Sequence, residues 1–330
     1  MIFAGPLRHG SDVGGVVVLF EDLINSISPD AGVFDTNAKN YTSSLSMIMC
    51  FTWCCVRAAF KGDEVALHGT ARDYKYLGFI VLICHYLLGL NYHTRKFAGN
   101  FDEVYVGFST FWRWSTRQFL FHSHSNFFET KSLVEYFSTF NSETFWFPNY
   151  RPETKYQNLE EFQGRFVFVG HVKREKGLDE IIALGTLLPD EWLVDVYGPL
   201  SGYSADDFRS PNVRYQGVLP PEDVASMIAK YNALLLPTFH EGEGYPGVIL
   251  EAYSVSAPVV ATIWRALPEI VDDNCGVLVE PGDALDLLRG MKNISVDYQR
   301  KRIGASQMFD DFSREVVLDK YFSSIRSRAT

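Results

Sequence analysis

Short apolar runs alternate with segments of helical periodicity along almost the whole chain. The runs are four to six residues long and are flanked by Gly, Pro or polar residues, as in MIFAGPL, RFVFVGHV, ALLLPTF and APVVAT. Strands that are buried on both faces of a parallel sheet have this pattern, because helices cover both sides. Segments such as VVVLFEDLINSI, PGVILEAYSV and ALDLLRGMK space their apolar positions as amphipathic helices do. The alternation therefore predicts an α/β protein built on parallel sheets.

The alternation is interrupted once, at the polar segment 148–164. Its sequence, PNYRPETKYQNLEEFQG, contains two prolines and few apolar residues, which is typical of a linker. A chain of 330 residues is long enough for two domains of ordinary size. We therefore predict two doubly wound units, 1–150 and 151–310, followed by a helical tail at 311–330. A ligand is expected in a cleft between the two sheets, at the carboxyl ends of the strands.

Charge and composition exclude some functional classes. The chain has 40 acidic and 30 basic residues, and a net charge of −10 argues against general nucleic-acid binding, which needs a basic surface. The first residues contain no basic region and no long apolar stretch, so we expect no signal peptide. An odd number of cysteines, five, then favours a reducing cytoplasm. Cys50, Cys54 and Cys55 lie in an apolar helical pattern and are predicted to be core residues.

Two apolar segments bear on membrane contact. YLGFIVLICHYLLGL (76–90) has fifteen residues, whereas a spanning helix needs about 20. We interpret it as a core helix, with a helix that rests on a surface as the alternative. FWRWSTRQFLF (111–121) mixes aromatic residues and arginine at helical spacing. It predicts either a partly buried helix or one that docks on an anionic membrane.

The stretch HEGEGYPGVILEA (240–252) has the composition of a binding loop. Its glycines and Pro246 precede an apolar run, and proline suits the first position of a helix. The start of a helix offers free N–H groups, here those of residues 247–249, to a phosphate. Glu243 and Glu251 flank this start, and carboxylates are good acceptors for sugar hydroxyls. Together these residues predict a site for a phosphorylated sugar.

The stretch FVGHVKREKGLDE (168–180) places cations directly after a predicted strand. The strand ends at Gly170, and Lys173, Arg174 and Lys176 follow. Cations at the carboxyl end of a strand suit a diphosphate. A solvent-exposed charge run is the alternative for Lys173 and Arg174. For Lys176 we favour a phosphate, because the helix dipole repels a cation there and a bound anion would compensate.

The glycine-rich loop GSDVGG (10–15) lies between the first predicted strand and helix. Glycines allow backbone N–H groups to approach an anion at a helix start. The loop lacks the G-x-G-x-x-G pattern of dinucleotide-binding proteins, and a simple tight turn is an equal alternative.

These motifs together resemble retaining glycosyltransferases of the GT-B fold, family 4 (glycosyl transferases group 1). FVGHVKREKG resembles the strand–Gly-x5-Lys-Gly element of that family, and EGYPGVILEA resembles its E-x7-E motif. APVVAT, LPEIV and CGVLVEPGD follow in the family's order, GSDVGG resembles its N-terminal glycine loop, and FPNYRP its interdomain junction. The resemblance implies two Rossmann-like domains facing an interdomain cleft. The first would be the acceptor side, the second the donor side, and the tail would pack back on the first.

The resemblance also implies a reaction and residue roles. A sugar would pass with retention, and without metal or cofactor, from a nucleotide-sugar to a glycan or lipid-linked saccharide in surface polysaccharide synthesis. UDP-sugars are the first expectation for the donor and GDP-sugars the second. Lys176 would stabilise the leaving diphosphate, Glu243 would hold the donor sugar, and Glu251 the ribose. The expected catalytic residues are Lys176, Glu243, Arg95 and His171, and the expected donor-binding residues are Gly14, Gly15, Gly170, Arg174, Leu219, Gly244, Tyr245, Pro246, Gly247, Val248 and Glu251.

Departures from the family pattern leave alternatives open. His171 stands where many relatives have arginine, and a neutral imidazole stabilises phosphate less well. Arg174 or Lys173 would then substitute for it. HTRKFAGNFDEVY (93–105) resembles a subgroup whose loop carries arginine and glycine, which makes Arg95 and Gly99 candidates, with His93 as the alternative. A non-catalytic nucleotide-sugar-binding protein or partner subunit is the main competing function, and an epimerase or phosphorylase on the same fold is a third.

Overall fold

The computed structural model of the chain describes residues 1–10, 15–27 and 31–326. The chain divides into two compact units, Met1–Pro148 with the segment from Lys320 onwards, and Asn149–Asp319. Each unit contains a six-stranded sheet whose described pairings are all parallel. The predicted fold class, α/β with two Rossmann-like sheets, is confirmed.

The first unit alternates strands and helices from its first residues. Its strands are β1 (Ile2–Gly5), β2 (Gly32–Asp35), β3 (Val65–Gly69), β4 (Tyr92–Lys96), β5 (Ser125–Phe128) and β6 (Thr144–Trp146). Its helices are α1 (Gly15–Ile24), α2 (Ser44–Lys61), α3 (Ala71–Leu88), α4 (Phe101–Val106), α5 (Thr110–Phe121) and α6 (Lys131–Ser138). The strands lie in the order β2-β1-β3-β4-β5-β6.

The second unit repeats the pattern after the linker. Its strands are β7 (Arg165–Val169), β8 (Leu193–Tyr197), β9 (Val213–Tyr215), β10 (Ala233–Leu236), β11 (Val259–Thr262) and β12 (Gly276–Val279), in the order β12-β11-β10-β7-β8-β9. Its helices are α7 (Leu178–Ala183), α8 (Val224–Ile228), α9 (Gly247–Ser254), α10 (Ala284–Val296) and α11 (Tyr298–Phe309). Helix α12 (Arg314–Arg326) begins in this unit, and its residues from Lys320 belong to the first.

Helix α2 shows how the apolar pattern selects the buried face. Phe51, Cys55 and Ala58 are buried at helical spacing against the first sheet. Cys50 lies on another face and is exposed, and Cys54 is half-buried. The prediction that Cys50 is a core residue is therefore wrong, because the helix is apolar on more than the face that packs.

Two other predictions need correction. The apolar pattern of DEVYVGFSTFWRWSTRQFLFHSHS (102–125) predicts a helix, with a further strand as an option. The structure has two helices here, α4 and α5, because the chain turns at residues 107–109, and β5 starts at Ser125. The segment PPEDVASMIAKY (220–231) predicts one helix with proline at its start. In the structure it is a 3-10 turn, Pro221–Asp223, followed by the five-residue helix α8. Among the described residues, no helix combines the length and apolar character needed to cross a membrane.

Candidate functional site

The strand order of the second sheet creates a switch point between β7 and β10. From β7 the chain continues to β8 and β9 on one side, and from β10 to β11 and β12 on the other. The loops after β7 and β10 therefore leave the sheet side by side at its carboxyl edge, which is where α/β proteins bind ligands. The motifs at 168–180 and 240–252 lie in or beside these loops.

Lys176 and Glu243 are paired across the two loops. Lys176 ends a 3-10 turn, and its Nζ lies 2.5 Å from Oε2 of Glu243. The hydroxyl of Thr238 donates a hydrogen bond to the same oxygen, at 2.7 Å. Glu243 is only 7% exposed, so its charge depends on these partners. The fold thus brings together two residues that the sequence assigned to one site.

Gly177 allows the first loop to approach the second. Its φ of 79° is left-handed, and a Cβ at this position would overlap the carbonyl oxygen of Pro237. The N–H of Phe239 donates to the carbonyl of Glu175 at 2.8 Å, which ties the loops together. A side chain at position 177 would separate the loops and move Lys176 with them.

Pro246 caps helix α9 and does not open it. The helix begins at Gly247, and the N–H of Ile249 donates to the Pro246 carbonyl at 3.0 Å. The predictions that Pro246 is the first helical residue and that the Ile249 N–H is free are therefore wrong. The physical reason is that the first turn closes with a tight bond between residues three apart.

Glu251 is held by Arg151, a linker residue that the sequence did not assign to the site. The Nε of Arg151 donates to Oε1 of Glu251 at 2.8 Å. The guanidinium also lies against Gly247, where a Cβ would overlap it. A cation beside a helix start is unfavourable by itself, so the carboxylate offsets its charge. The signal in the sequence was an arginine between the two prolines of the linker, PNYRP.

A cavity of about 200 Å³ opens beside this pair. Apolar and backbone groups form most of the cavity wall, and Glu251 is the acidic residue that lines it. Three of the predicted donor-binding residues line it, Gly170, Leu219 and Glu251, and so does His171, which was predicted to be catalytic. Val169, Pro199 and Val218 are further residues of its wall. The geometry thus combines an apolar slot with a hydrogen-bond acceptor at its side.

His240 lies among the charges of the same site, although no motif singled it out. Burial lowers the pKa of its imidazole below the ordinary value, and Lys173 and Lys176 lower it further. Glu243 and Glu175 oppose this shift but do not reverse it. The ring is therefore neutral at neutral pH.

Three further predicted residues have surroundings of their own. Arg174 is exposed and lies 3.4 Å from Asp179, in agreement with the alternative of a solvent-exposed charge run. Gly244 and Tyr245 are buried in the loop before α9. The Tyr245 hydroxyl donates to Glu269 at 2.6 Å, and this hydrogen bond ties the loop before α9 to the segment that follows β11.

The glycine-rich loop of the first unit is described in part. Gly14 lies outside the described residues. Gly15 is exposed and is the first residue of α1. In the first sheet, β2 lies on one side of β1, and β3 with the later strands lies on the other side. The switch point of this sheet is therefore between β1 and β3, and α1, which follows β1, starts there.

Arg95 lies within strand β4 and not in a loop, so the loop position implied by the resemblance is wrong. It is 2% exposed, and its guanidinium carbon is 3.9 Å from the ring centre of Phe147 and 4.6 Å from that of Phe97. Gly99 is half-buried in the turn after the strand. His93 is buried near the opposite end of β4. The two aromatic rings stabilise this buried guanidinium through cation–π contacts.

Lys96 is a buried cation that the motifs did not single out. Burial lowers its pKa from 10.5 to about 8, against the opposing effects of Glu129 and Asp73. Its Nζ donates to the carbonyl of Phe97 and lies 4.9 Å from the ring centre of Phe101. The carboxyl end of β4 therefore carries an amine that titrates close to neutral pH.

Comparisons with known proteins place this geometry in a family context. Residues 163–297 match the family model described as Glycosyl transferases group 1. The chain is 33% identical over 133 residues to O-antigen chain mannosyltransferase B of Escherichia coli, covering 37% of this chain and 34% of that protein. It is 24% identical over 210 residues to the capsular polysaccharide biosynthesis glycosyltransferase CapM of Staphylococcus aureus, covering 58% and 54%. The matches thus span about a third to a half of these relatives.

Solved structures resemble the whole chain. The apo form of the lipopolysaccharide outer core galactosyltransferase WaaB superposes with a TM-score of 0.72 at 15% identity, covering 99% of both chains. The Anabaena protein Alr3699/HepE in complex with UDP gives 0.73 at 13% identity, again covering 99% of both. At this identity the likeness shows the fold, which is GT-B. The resemblance to group 1 glycosyltransferases is confirmed by the family match at residues 163–297.

Proposed function

We propose that this chain, whose residues 163–297 form a group 1 glycosyltransferase domain on a GT-B fold, transfers a sugar with retention from a nucleotide-sugar to an acceptor. The acceptor is a glycan or lipid-linked saccharide in the synthesis of O-antigen, capsule or exopolysaccharide. The names of two relatives, an O-antigen chain mannosyltransferase and a capsular polysaccharide glycosyltransferase, support a surface polysaccharide. The observation that carries the proposal is the Lys176–Glu243 pair at the switch point, next to the start of α9 and the Glu251 cavity.

The donor fits this site part by part. The base occupies the apolar cavity, and the ribose hydroxyls donate to Glu251 at its side. The diphosphate lies at the start of α9, where Gly247 and Val248 present their N–H groups and Lys176 supplies a full charge. A UDP donor is our first choice, since the related fold of Alr3699/HepE was solved with UDP and with UDP-glucose.

Lys176 has one role in the free protein and another in the donor-bound protein. In the free protein it neutralises a buried carboxylate. When the donor binds, the Glu243 carboxylate accepts from a sugar hydroxyl, and Lys176 shifts towards the phosphates. As the sugar departs, negative charge grows on the diphosphate, and a positioned cation stabilises that charge most in the transition state. We propose that Lys176 and the helix start fill the role that a divalent metal has in other transferases.

Two observations favour the competing function, a nucleotide-sugar-binding protein without transfer. His171 is exposed, and it stands where the resemblance implies an arginine that would contact phosphate. Arg151 already occupies the Glu251 carboxylate that the ribose would use. This alternative predicts nucleotide binding with no turnover of any donor.

We also propose peripheral contact with the inner face of the cytoplasmic membrane through α5. Phe111, Trp114 and Phe121 are 50%, 53% and 56% exposed, and Arg113 and Arg117 lie on the same helix. Aromatic rings at the lipid interface and arginine near anionic headgroups suit such a contact. Co-sedimentation with phosphatidylglycerol vesicles tests it. Phe111→Ala with Trp114→Ala should reduce binding, and equal binding would oppose the proposal.

The decisive experiment separates binding from transfer. Melting temperatures are measured with UDP, GDP, ADP and their common sugar conjugates, with and without magnesium. A shift for one nucleotide that persists with EDTA supports the donor site and identifies the base. Release of that nucleotide from its sugar conjugate then shows catalysis. Binding without release favours the competing function, and no shift for any nucleotide overturns both.

A further inference from the structure

Three potential metal ligands meet at the amino-terminal edge of the first sheet. Glu64 directly precedes β3, His124 directly precedes β5, and His93 is the second residue of β4 between them. One ligand atom from each residue can be chosen so that all three lie within 4.8 Å of one another. We call these residues the Glu64–His93–His124 cluster.

We propose that this cluster binds one divalent transition-metal ion of the zinc class. Two imidazoles and a carboxylate are a donor set that such ions favour over calcium or magnesium. Zinc binds nitrogen and oxygen at about 2.0–2.1 Å, so the donors of a tetrahedral site lie about 3.3–3.4 Å apart. Glu64 Oε2 lies 3.4 Å from Nε2 of His93, and Glu64 Oε1 lies 3.4 Å from Nδ1 of His124. Both carboxylate–imidazole distances thus match the donor spacing of a tetrahedral site, and small side-chain rotations would bring one oxygen of Glu64 and the two imidazoles, whose ligand atoms lie within 4.8 Å, around one ion.

The surroundings of His93 orient it for this role. Its Nδ1 lies 2.6 Å from the hydroxyl of Ser125 on the neighbouring strand. A hydrogen bond at one ring nitrogen fixes the ring and directs the other nitrogen, here Nε2, towards the metal. His93 is 2% exposed, so the ring is held by packing as well.

Backbone pairing fixes the other two ligands. The carbonyl of Glu64 accepts from the N–H of Ile2 at 2.7 Å, and the N–H of His124 donates to the carbonyl of Tyr92 at 2.8 Å. The side chains of Glu64 and His124 remain 28% and 35% exposed, which gives an ion access from solvent. The cluster is therefore preformed on three adjacent strands and open on one side.

The position of the cluster separates it from sugar transfer. Strand β4 runs from the cluster to Lys96 at its carboxyl end, and ligands of α/β proteins bind at the carboxyl edge of the sheet, opposite the cluster. An ion here would tie β3, β4 and β5 together at their starts and act on stability. The inference does not rest on the proposed function and is compatible with a metal-independent reaction.

A zinc titration of the untagged 330-residue chain tests the inference. The chain is stripped with EDTA, dialysed and titrated with zinc chloride by calorimetry, and its melting temperature is followed in parallel. We expect a single site and a rise in melting temperature. Cobalt(II) should give the intense visible absorption of a tetrahedral ion.

The variants Glu64→Gln and His124→Gln should each weaken zinc binding by more than about tenfold and abolish the temperature rise. Ser125→Ala should weaken it by about 10–100-fold, because only the orientation of His93 is lost. His124→Gln changes a partly exposed side chain, so it keeps the test valid if another variant fails to fold. His122→Gln is the matched control, since His122 is a nearby histidine that contacts the Tyr86 hydroxyl and lies outside the cluster. No zinc binding, or equal binding by the parent and the Glu64 and His124 variants, would overturn the inference.

Discussion

The Nε of Arg151 donates to the carboxylate of Glu251 at 2.8 Å, although one hundred positions separate the two residues in the chain. The linker thereby contributes directly to the loop and helix that we propose for the donor. The Glu251 side chain is only 20% exposed, so Arg151 compensates a charge that has lost most of its water. A ribose must share this carboxylate with Arg151 or displace it.

Replacement of Arg151 by alanine should lower stability and change donor affinity. The unfolding free energy should fall by about 1 kcal/mol, because the pair is partly exposed. Urea denaturation measures this, and a double-mutant cycle with Glu251→Gln isolates the pair. Lys155→Ala, which removes an exposed cation from the same linker, is the control. If both variants behave alike, the Arg151 contact has no energetic role.

Replacement of Lys176 by methionine should damage both stability and turnover. Breaking the pair leaves Glu243 buried without its cation, which costs about 3 kcal/mol. Turnover should fall by about 10²–10³-fold, the effect of removing one charge-stabilising group. The double variant Lys176→Met with Glu243→Gln should regain much of the stability but none of the activity. Recovery of activity in the double variant would show that the pair is structural. Lys230→Met, at an exposed lysine of the same unit with no part in the proposed site, serves as the control.

Replacement of Gly177 by alanine should disrupt the site through the backbone. A left-handed φ costs an L-residue about 1–2 kcal/mol, and the new Cβ would also overlap the Pro237 carbonyl. Gly202→Ala is a close control, since Gly202 has a φ of 83° and an added Cβ there would meet no atom within 4 Å. We expect a clearly larger loss of melting temperature for Gly177→Ala, together with lost turnover. Equal losses would mean that the close approach of the loops is unimportant.

Lys96 should make stability depend on pH above neutrality. Its pKa is about 8 in the folded chain and near 10.5 when unfolded. Between these values the unfolded chain holds the proton that the folded chain has released, so stability rises with pH. Below about pH 8 the penalty of burying the charge is fully present. Urea denaturation from pH 7 to 10 should show this rise relative to Lys96→Met, whereas the exposed Lys61→Met should run parallel to the parent. If the stability of Lys96→Met depended on pH in the same way as that of the parent, Lys96 would not have the lowered pKa of a buried amine.

The strands and the linker could be predicted from the sequence because each leaves a local signal. Apolar runs bounded by turn residues indicated the parallel strands, and the polar segment at 148–164 marked the boundary. The faces of α2 were less predictable, since its sequence is apolar nearly all round and only packing shows that Cys50 points outward. Likewise, the start of α9 depended on a single backbone bond to Pro246.

The contacts within the candidate site could not be predicted from local sequence patterns. The motifs named Lys176 and Glu243 separately, but their contact follows from β7 and β10 being neighbours in a sheet, with two strands between them in the chain. Arg151 lies in a motif that indicated only the domain junction, and Thr238 lies in no motif, because the importance of both comes from where distant segments meet. The same holds for the Glu64–His93–His124 cluster, whose members are spread over sixty positions. All of these contacts depend on the order of the strands in the sheets, which no single segment of the sequence determines.

The end of helix α12 has a consequence for how the protein is made. Tyr321 is buried against Phe127 and Phe147 and lies 3.1 Å from Nε2 of His68. These partners leave the ribosome long before Tyr321 does. The packing of Tyr321 on the first unit therefore forms only after the second unit has been translated, so the first unit reaches its complete set of contacts last.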